Sequence, residues 1–145
     1  MVVVVNPNNW HWVEKNTLSW SQAYFEEKLP QLQVEDGSHQ VIVTKVSSVR
    51  GDSNVSQRKG KPICYFDLQI SLMVAVKDGA DELISGSLTV PELTHDEEPE
   101  IKMESSFGEH QTLLEKQFYP VLLEALLRYQ SDLMRAHSGD LGSNV

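Results

Sequence analysis

A long alternation of apolar and polar residues restricts the fold of this sequence more than any other feature. From Cys64 to Val76 every second side chain is apolar, and the positions between them, Tyr65 to Lys77, are mostly polar. Successive side chains of a β-strand point to opposite faces, so this period predicts a strand with one buried face and one solvated face. A sheet with one wet face is typically antiparallel, and its apolar face needs a cover.

Three further strands and a short N-terminal helix are predicted around this strand. The helix begins at a capping pattern formed by Ser19 and Gln22, and it ends at Leu29 because Pro30 follows. The other strands are rich in β-branched or alternating apolar residues. They are residues 41–46, 83–90 and 101–103.

The C-terminal part is predicted to be helical, since apolar residues recur at three- and four-residue steps from Leu114 to Leu133. Pro120 interrupts this pattern, which predicts either a kink or two helices with Pro120 in the first turn of the second. Ser138 and Gly139 predict the end of the helix. The fold class is therefore α+β: a four-stranded antiparallel β-sheet packed against a long C-terminal helix, with a short N-terminal helix. Residues 1–145 form a single domain, and residues 141–145 are expected to be a frayed tail.

The charge of the chain is large and unevenly distributed. The net charge is −9, but residues 1–62 carry +1 and residues 63–145 carry −10. Such an acidic chain is repelled by phosphate backbones and anionic membranes, which disfavours nucleic-acid and membrane binding. No apolar run approaches the ~20 residues of a membrane span, and the N-terminus lacks the pattern of a signal peptide, so we expect a cytoplasmic protein, with the nucleus as a second option.

The sequence contains no pattern typical of an active site, a metal site or a cofactor site. The single cysteine, Cys64, excludes a cysteine zinc site, and the five histidines lack the spacing of metal ligands. We therefore predict no catalytic residue, no metal and no cofactor. Two other classes of protein stay as alternatives. One is a small hydrolase that uses His95, Asp96 or His11, and the other is a module that binds an apolar ligand between helix and sheet.

A basic segment is the first candidate interaction site. Residues 51–62 are predicted to be a polar loop between two strands, and Arg58, Lys59 and Lys61 lie close together in it. On composition alone, a functional contact with an acidic partner and a merely polar connection are equally supported.

The N-terminal segment, residues 6–12, is the second candidate site. Its two tryptophans, Trp10 and Trp12, lie on the same side if the segment is extended. They either cover an edge of the core or leave His11 and the asparagines free to bind a partner.

The two segments together carry a resemblance to a known family. Asn-x-Asn-Asn-Trp-His-Trp at residues 6–12 and the Gly51-Asp52 to Lys61 segment resemble the two motifs of the family that activates the ATPase of the ninety-kilodalton heat-shock chaperone. The strand that follows, Cys64 to Leu68, and the His137-Ser138 end of the last helix also fit. The resemblance covers nearly the whole chain. It is closest to the short single-domain form known from yeasts, or to an isolated N-terminal domain of the long form.

This resemblance implies a co-chaperone rather than an enzyme, monomeric when free. It would bind the middle domain of the chaperone, remodel a catalytic loop there and tune nucleotide exchange. The residues that the resemblance assigns to chaperone binding are Asp52, Gln57, Arg58, Lys59, Gly60 and Lys61. The residues that it assigns to the nucleotide-exchange motif are Asn6, Asn8, Asn9, Trp10, His11 and Trp12.

Overall fold

The structure is a computed structural model that describes the backbone of residues 13–58 and 61–142, and the side chains of residues 14–57 and 61–137. Residues 6–12, Lys59 and Gly60 of the two predicted motifs therefore lie outside the described residues, as do residues 143–145 of the predicted tail. The predicted α+β class is confirmed: an antiparallel sheet packs against a long C-terminal helix, and a short helix precedes most of the sheet.

The sheet contains six strands within the described ranges, rather than the four predicted. They are β1 Val13–Asn16, β2 Gln33–Asp36, β3 His39–Arg58, β4 Lys61–Asp78, β5 Asp81–Thr94 and β6 Lys102–Met103. Their order is β1-β3-β4-β5-β6, and β2 pairs with the other end of β3 on the same edge as β1. The two strands that the sequence did not predict, β1 and β2, have four residues each, which is too short to show a period.

The predicted loop at residues 51–62 is wrong. β3 continues without interruption to Arg58, and β4 begins at Lys61, so most of this segment belongs to a hairpin of two long strands. Strand partners decide this outcome: β4 pairs with one side of the segment, and β1 pairs with its other side at residues 54–57. Backbone pairing on both sides overrides a composition that by itself resembles a loop.

The N-terminal helix α1 covers Leu18–Lys28 and continues into a 3₁₀ turn at Leu29–Gln31 that contains Pro30. The predicted capping box is wrong, because Ser19 lies inside the helix. Asn16 Oδ1 instead accepts a hydrogen bond from the Leu18 amide at 2.9 Å. Gln22 Nε2 donates to the Val49 carbonyl at 3.0 Å. Val49 lies on β3 between the residues that pair with β2 and those that pair with β1, so this bond satisfies a carbonyl that has no strand partner on that edge.

The C-terminal helical region has several segments. A 3₁₀ turn at Gly108–His110 leads into α2 (Gln111–Leu113), a π-helical segment at Leu114–Phe118 and the long helix α3 (Tyr119–Gly142). Pro120 lies in the first turn of α3, as one of the two predicted arrangements required. Because proline lacks an amide proton, the α-helical hydrogen bond to residue 116 cannot form, and the helix widens just before it. The predicted stop at Ser138 and Gly139 is wrong, since α3 continues to Gly142.

The core lies between the inner face of the sheet and the C-terminal helical region. The alternation that predicted β4 is confirmed, because every second side chain from Phe66 to Val76 is buried there. The helical stripe is confirmed as well, and each such buried side chain contributes roughly 1.5–3 kcal/mol. Its buried members are Leu114, Phe118, Leu122, Leu126, Tyr129 and Leu133. Within the described residues, no helix is long and apolar enough to span a membrane.

Candidate interaction site at the β3–β4 hairpin

The basic segment lies at the end of the β3–β4 hairpin. Arg58 pairs with Lys61 in the register of the two strands, and Gln57 pairs with Pro62. The Lys61 side chain is exposed. The pairing of β3 with β4 extends from Arg58 and Lys61 to His39 and Asp78 at the other end. Arg58 and Lys61 therefore lie at the tip of a long two-stranded ribbon.

Strand β1, which begins directly after the N-terminal motif, pairs with the strand that carries the basic segment. Val13, the residue that follows the N-terminal motif, pairs with Gln57, and Asn16 pairs with Asn54. The Thr17 amide then donates to the Ser53 carbonyl at 2.8 Å. The chain that carries residues 6–12 is therefore attached to the strand that carries the basic segment, one register position from Arg58.

Gly51 and Asp52 lie on β3, further from the hairpin end. Gly51 has φ +124°, and a Cβ atom built on it would lie 2.1 Å from the Asp67 carbonyl oxygen, so only glycine fits. Asp52 is exposed on the face opposite the core, directly across from Asp67. Asp52 can therefore contact a partner without any change of the fold.

Two large apolar side chains are exposed on this same outer face. Ile63 is 43% exposed and Tyr65 is 44% exposed, and both alternate with core residues of β4 on the same face as Lys61. We call Asp52, Lys61, Ile63 and Tyr65 the outer-face patch. Sequence reasoning missed Ile63 and Tyr65 as site residues. The available signal was that apolar side chains occupied wet-face positions of an otherwise regular strand.

Gln57 differs from the other predicted contact residues. Its side chain is only 3% exposed, and its Nε2 has no hydrogen-bond partner among the described residues. A buried amide at this position supports the hairpin from the inner side, and a partner can reach it only if neighbouring groups move. Lys61 and Asp52 are therefore accessible to a partner, whereas Gln57 is not.

A buried cluster of hydroxyl groups holds the hairpin to both helices. Tyr129 of α3 shares hydrogen bonds with Ser21 of α1 at 2.6 Å and with Ser53 of β3 at 2.8 Å. Thr17 Oγ1 is 2.7 Å from Ser53 Oγ, and Ser21 Oγ donates to the Thr17 carbonyl at 2.8 Å. Burial raises the pKa of the Tyr129 phenol, so this hydroxyl stays protonated and can act as both donor and acceptor.

The turn after β5 borders the outer-face patch. The centroid of the His95 ring lies 5.8 Å from that of the Tyr65 ring and 6.1 Å from that of the Phe66 ring. The His95 Nδ1 atom is buried and has no hydrogen-bond partner within the described residues. The Asp96 carboxylate accepts a hydrogen bond from Gln130 instead of contacting an imidazole. Neither residue belongs to a cluster of catalytic groups, and no group of three or more metal-ligating side chains occurs in the described part of the chain.

Comparisons with known proteins agree with one another. Residues 14–137 match a family model described as "Activator of Hsp90 ATPase, N-terminal". The chain is 48% identical to the Hsp90 co-chaperone HCH1 of Saccharomyces cerevisiae, over 97% of this chain and 99% of that protein. It is 36% identical to the Hsp90 co-chaperone AHA1 of the same yeast, over 97% of this chain but only 44% of that protein.

A solved structure shares the fold. The crystal structure of Aha-1 from Plasmodium falciparum superposes with a TM-score of 0.76 over 88% of this chain and 90% of that chain, at 23% sequence identity. At this level of identity the similarity concerns the fold alone.

Proposed function

The chain belongs to the family of Hsp90 ATPase activators of the N-terminal type, and we propose that it is a non-catalytic co-chaperone that binds the middle domain of Hsp90 and stimulates its ATPase. The two yeast relatives named above are Hsp90 co-chaperones, and the chain spans nearly all of HCH1. The observation that carries the proposal is the β1–β3 pairing, which places Val13, the residue after the N-terminal motif, one register position from Arg58.

The basic hairpin end is the part that acts on the chaperone in this proposal. Arg58, Lys59 and Lys61 approach acidic groups of the middle domain and shift the loop that carries an arginine aimed at the γ-phosphate of ATP. A correctly placed arginine changes phosphoryl-transfer rates by orders of magnitude, so moving this loop is sufficient for control. In this proposal, residues 6–12 tune nucleotide exchange.

The outer-face patch provides the binding energy. Ile63 and Tyr65 expose apolar surface that water leaves when a partner docks, whereas Lys61 and Asp52 at its border provide orientation and specificity. Aromatic side chains are frequent among the residues that dominate interface energies. We therefore expect the patch to hold the chain on the chaperone while the basic tip acts on the loop.

The other two classes of protein receive less support. The space between α3 and the sheet, where an apolar ligand would bind, is filled by fully buried side chains such as Phe66, Phe118 and Tyr129. A hydrolase would use His95, Asp96 or His11. His95 and Asp96 form no catalytic pair, and His11 lies outside the described residues. In our proposal the free chain is a monomer, and it acts in the cytoplasm and the nucleus.

A steady-state ATPase assay of purified Hsp90 tests the function. The double variant Arg58→Ala/Lys59→Ala is expected to lose the stimulation and leave only the basal rate, because the charges that reach the loop are gone. The matched control is Lys116→Ala/Arg135→Ala, which removes two exposed basic side chains of the C-terminal helical region and should stimulate like the unmodified chain. A third variant lacking residues 6–12 should bind Hsp90 but change its affinity for nucleotide.

Circular dichroism and thermal unfolding establish that each variant is folded before its activity is interpreted. Full stimulation by the folded Arg58/Lys59 variant would overturn the proposed mechanism. An unmodified chain that leaves the Hsp90 ATPase at its basal rate would overturn the proposed function itself.

A further inference from the structure

A second surface of the molecule contains a shallow apolar cleft that has no role in the proposed function. A cleft of about 280 Å³ lies between the start of α3 and the segment that connects β5 to β6. Its lining is mainly apolar, with one carboxylate at the edge. The lining residues are Pro99, Ile101, Glu115, Tyr119, Pro120 and Leu123.

One wall of the cleft is held at both ends. At one end, Asp96 makes two hydrogen bonds with Gln130, which lies on α3. The Asp96 amide donates to Gln130 Oε1, and Gln130 Nε2 donates to Asp96 Oδ1, each over 3.0 Å. At the other end, Lys102 and Met103 pair with β5 as strand β6. The segment that presents Pro99 and Ile101 is therefore fastened to both the helix and the sheet, which keeps the cleft open rather than collapsed.

The other wall is a stripe along the helix. Tyr119 and Leu123 lie four residues apart and so share one face of α3. Leu127 continues the stripe by one more turn and is 49% exposed, which makes it one of four large apolar side chains with substantial exposure among the described residues. The cleft and Leu127 together form an elongated apolar strip beside the buried face of α3.

The rim of the cleft is strongly acidic. Residues 91–101 contain five acidic side chains and no lysine or arginine. Glu98 and Glu100 are exposed there, and a neighbouring depression is lined by four glutamates, Glu92, Glu97, Glu98 and Glu100, together with one lysine, Lys102. On the helix side, Glu115 lies close enough to the Tyr119 phenol to add to the rise in its pKa that burial causes.

We propose that this cleft binds a basic amphipathic segment of a protein partner, with an apolar side chain inserted between Ile101 and Leu123 and flanking lysines or arginines on the acidic rim. An apolar groove bordered mainly by negative charge selects a segment with both properties, since neither a purely cationic nor a neutral peptide satisfies both parts. This inference goes beyond the proposed function, because the outer-face patch and the basic hairpin tip contribute no residue to the cleft.

Fluorescence anisotropy with a labelled synthetic peptide tests the inference. The probe has one leucine flanked on each side by pairs of lysines, and two comparison peptides replace either the leucine by serine or the lysines by glutamines. Leu123→Gln should weaken binding of the probe by about tenfold, which is the effect expected when one leucine contact is lost. Leu83→Gln is the matched control, because Leu83 is 45% exposed and lies outside the cleft.

The double variant Glu98→Lys/Glu100→Lys makes the test independent of any instability that Leu123→Gln causes, since both glutamates are exposed. This double variant should weaken binding of the probe by at least as much as Leu123→Gln does. It should leave the stimulation of the Hsp90 ATPase unchanged. Absence of binding to the unmodified chain, or equal binding of the serine-containing peptide, would overturn the inference and leave the proposed function intact. A loss of ATPase stimulation in the Glu98/Glu100 variant would overturn the separation of the two surfaces.

Discussion

At the scale of single residues, the Tyr129 hydroxyl connects three elements of the fold. It lies in a buried site where α1, β3 and α3 meet, and it bonds to Ser21 and Ser53 from the two other elements. Ser53 directly follows Asp52 of the predicted binding segment. This cluster therefore fixes the position of that part of β3 relative to both helices.

Tyr129→Phe tests this role at constant ring packing. Removal of the hydroxyl leaves Ser21 and Ser53 each without one buried partner, which should lower the free energy of unfolding by about 1–3 kcal/mol. Urea denaturation followed by circular dichroism measures the loss. Tyr65→Phe is the control, because Tyr65 is 44% exposed and its change should stay within about 0.5 kcal/mol. Equal stability of Tyr129→Phe and the unmodified chain would show that the cluster contributes nothing.

At the scale of elements, the connection from β5 to β6 depends on α3. Asp96 has a positive φ of 63°, and its two hydrogen bonds to Gln130 hold the turn against the helix. The segment up to Ile101 has no regular strand pairing until β6 begins at Lys102. The Gln130 side chain at its first end and a strand of two residues at its other end are therefore two of its main anchors, together with buried Pro99 between them.

Gln130→Ala should release this connection without unfolding the molecule. Both hydrogen bonds are exposed, so we expect a loss of only about 1 kcal/mol in global stability, but much faster hydrogen exchange at the Asp96 amide. Exchange measured by mass spectrometry or NMR over residues 95–101 shows the effect. Ser131→Ala serves as the control, since Ser131 bonds only within its own helix. Unchanged exchange at Asp96 would mean that the Gln130 contact does not hold the turn.

At the scale of the whole molecule, the charge distribution sets the conditions for binding. The chain is acidic, with an isoelectric point near 4.9, while three basic side chains lie in the short segment 58–61. Long-range repulsion between acidic proteins is screened by salt, and so is short-range attraction at an exposed basic tip. In the proposed complex the basic tip touches acidic groups of the partner, so this local attraction determines how the affinity depends on salt.

Affinity for Hsp90 should therefore fall several-fold as the salt concentration rises from about 0.05 to 0.3 M, because the Debye length shortens over this range. Surface plasmon resonance or calorimetry at each concentration measures the slope. The Arg58→Ala/Lys59→Ala variant should bind more weakly and show a flatter dependence. An affinity that rises with salt would indicate that overall repulsion, rather than the basic tip, dominates the association.

Features that depend on local period were predictable from the sequence. The alternation of Cys64 to Lys77 and the apolar stripe from Leu114 to Leu133 both predicted the correct element and the correct buried face. The predictions failed where composition was the only guide. Residues 51–58 resemble a loop and form a strand, because β1 and β4 supply partners on both sides. The predicted cap at Ser19 failed because α1 already begins at Leu18, and Gln22 bonds to Val49 of β3 rather than back to residue 19.

The sequence by itself determined the α+β class, the main buried faces and, through two motifs, the family. Local spacing encodes these features, since each depends only on neighbours along the chain. The tertiary structure alone decided that Val13 pairs with Gln57, that Ile63 and Tyr65 are exposed beside Lys61, and that a cleft opens between Ile101 and Leu123. These features arise from contacts between residues distant in sequence, and such contacts depend on strand register and helix packing, which no single segment specifies.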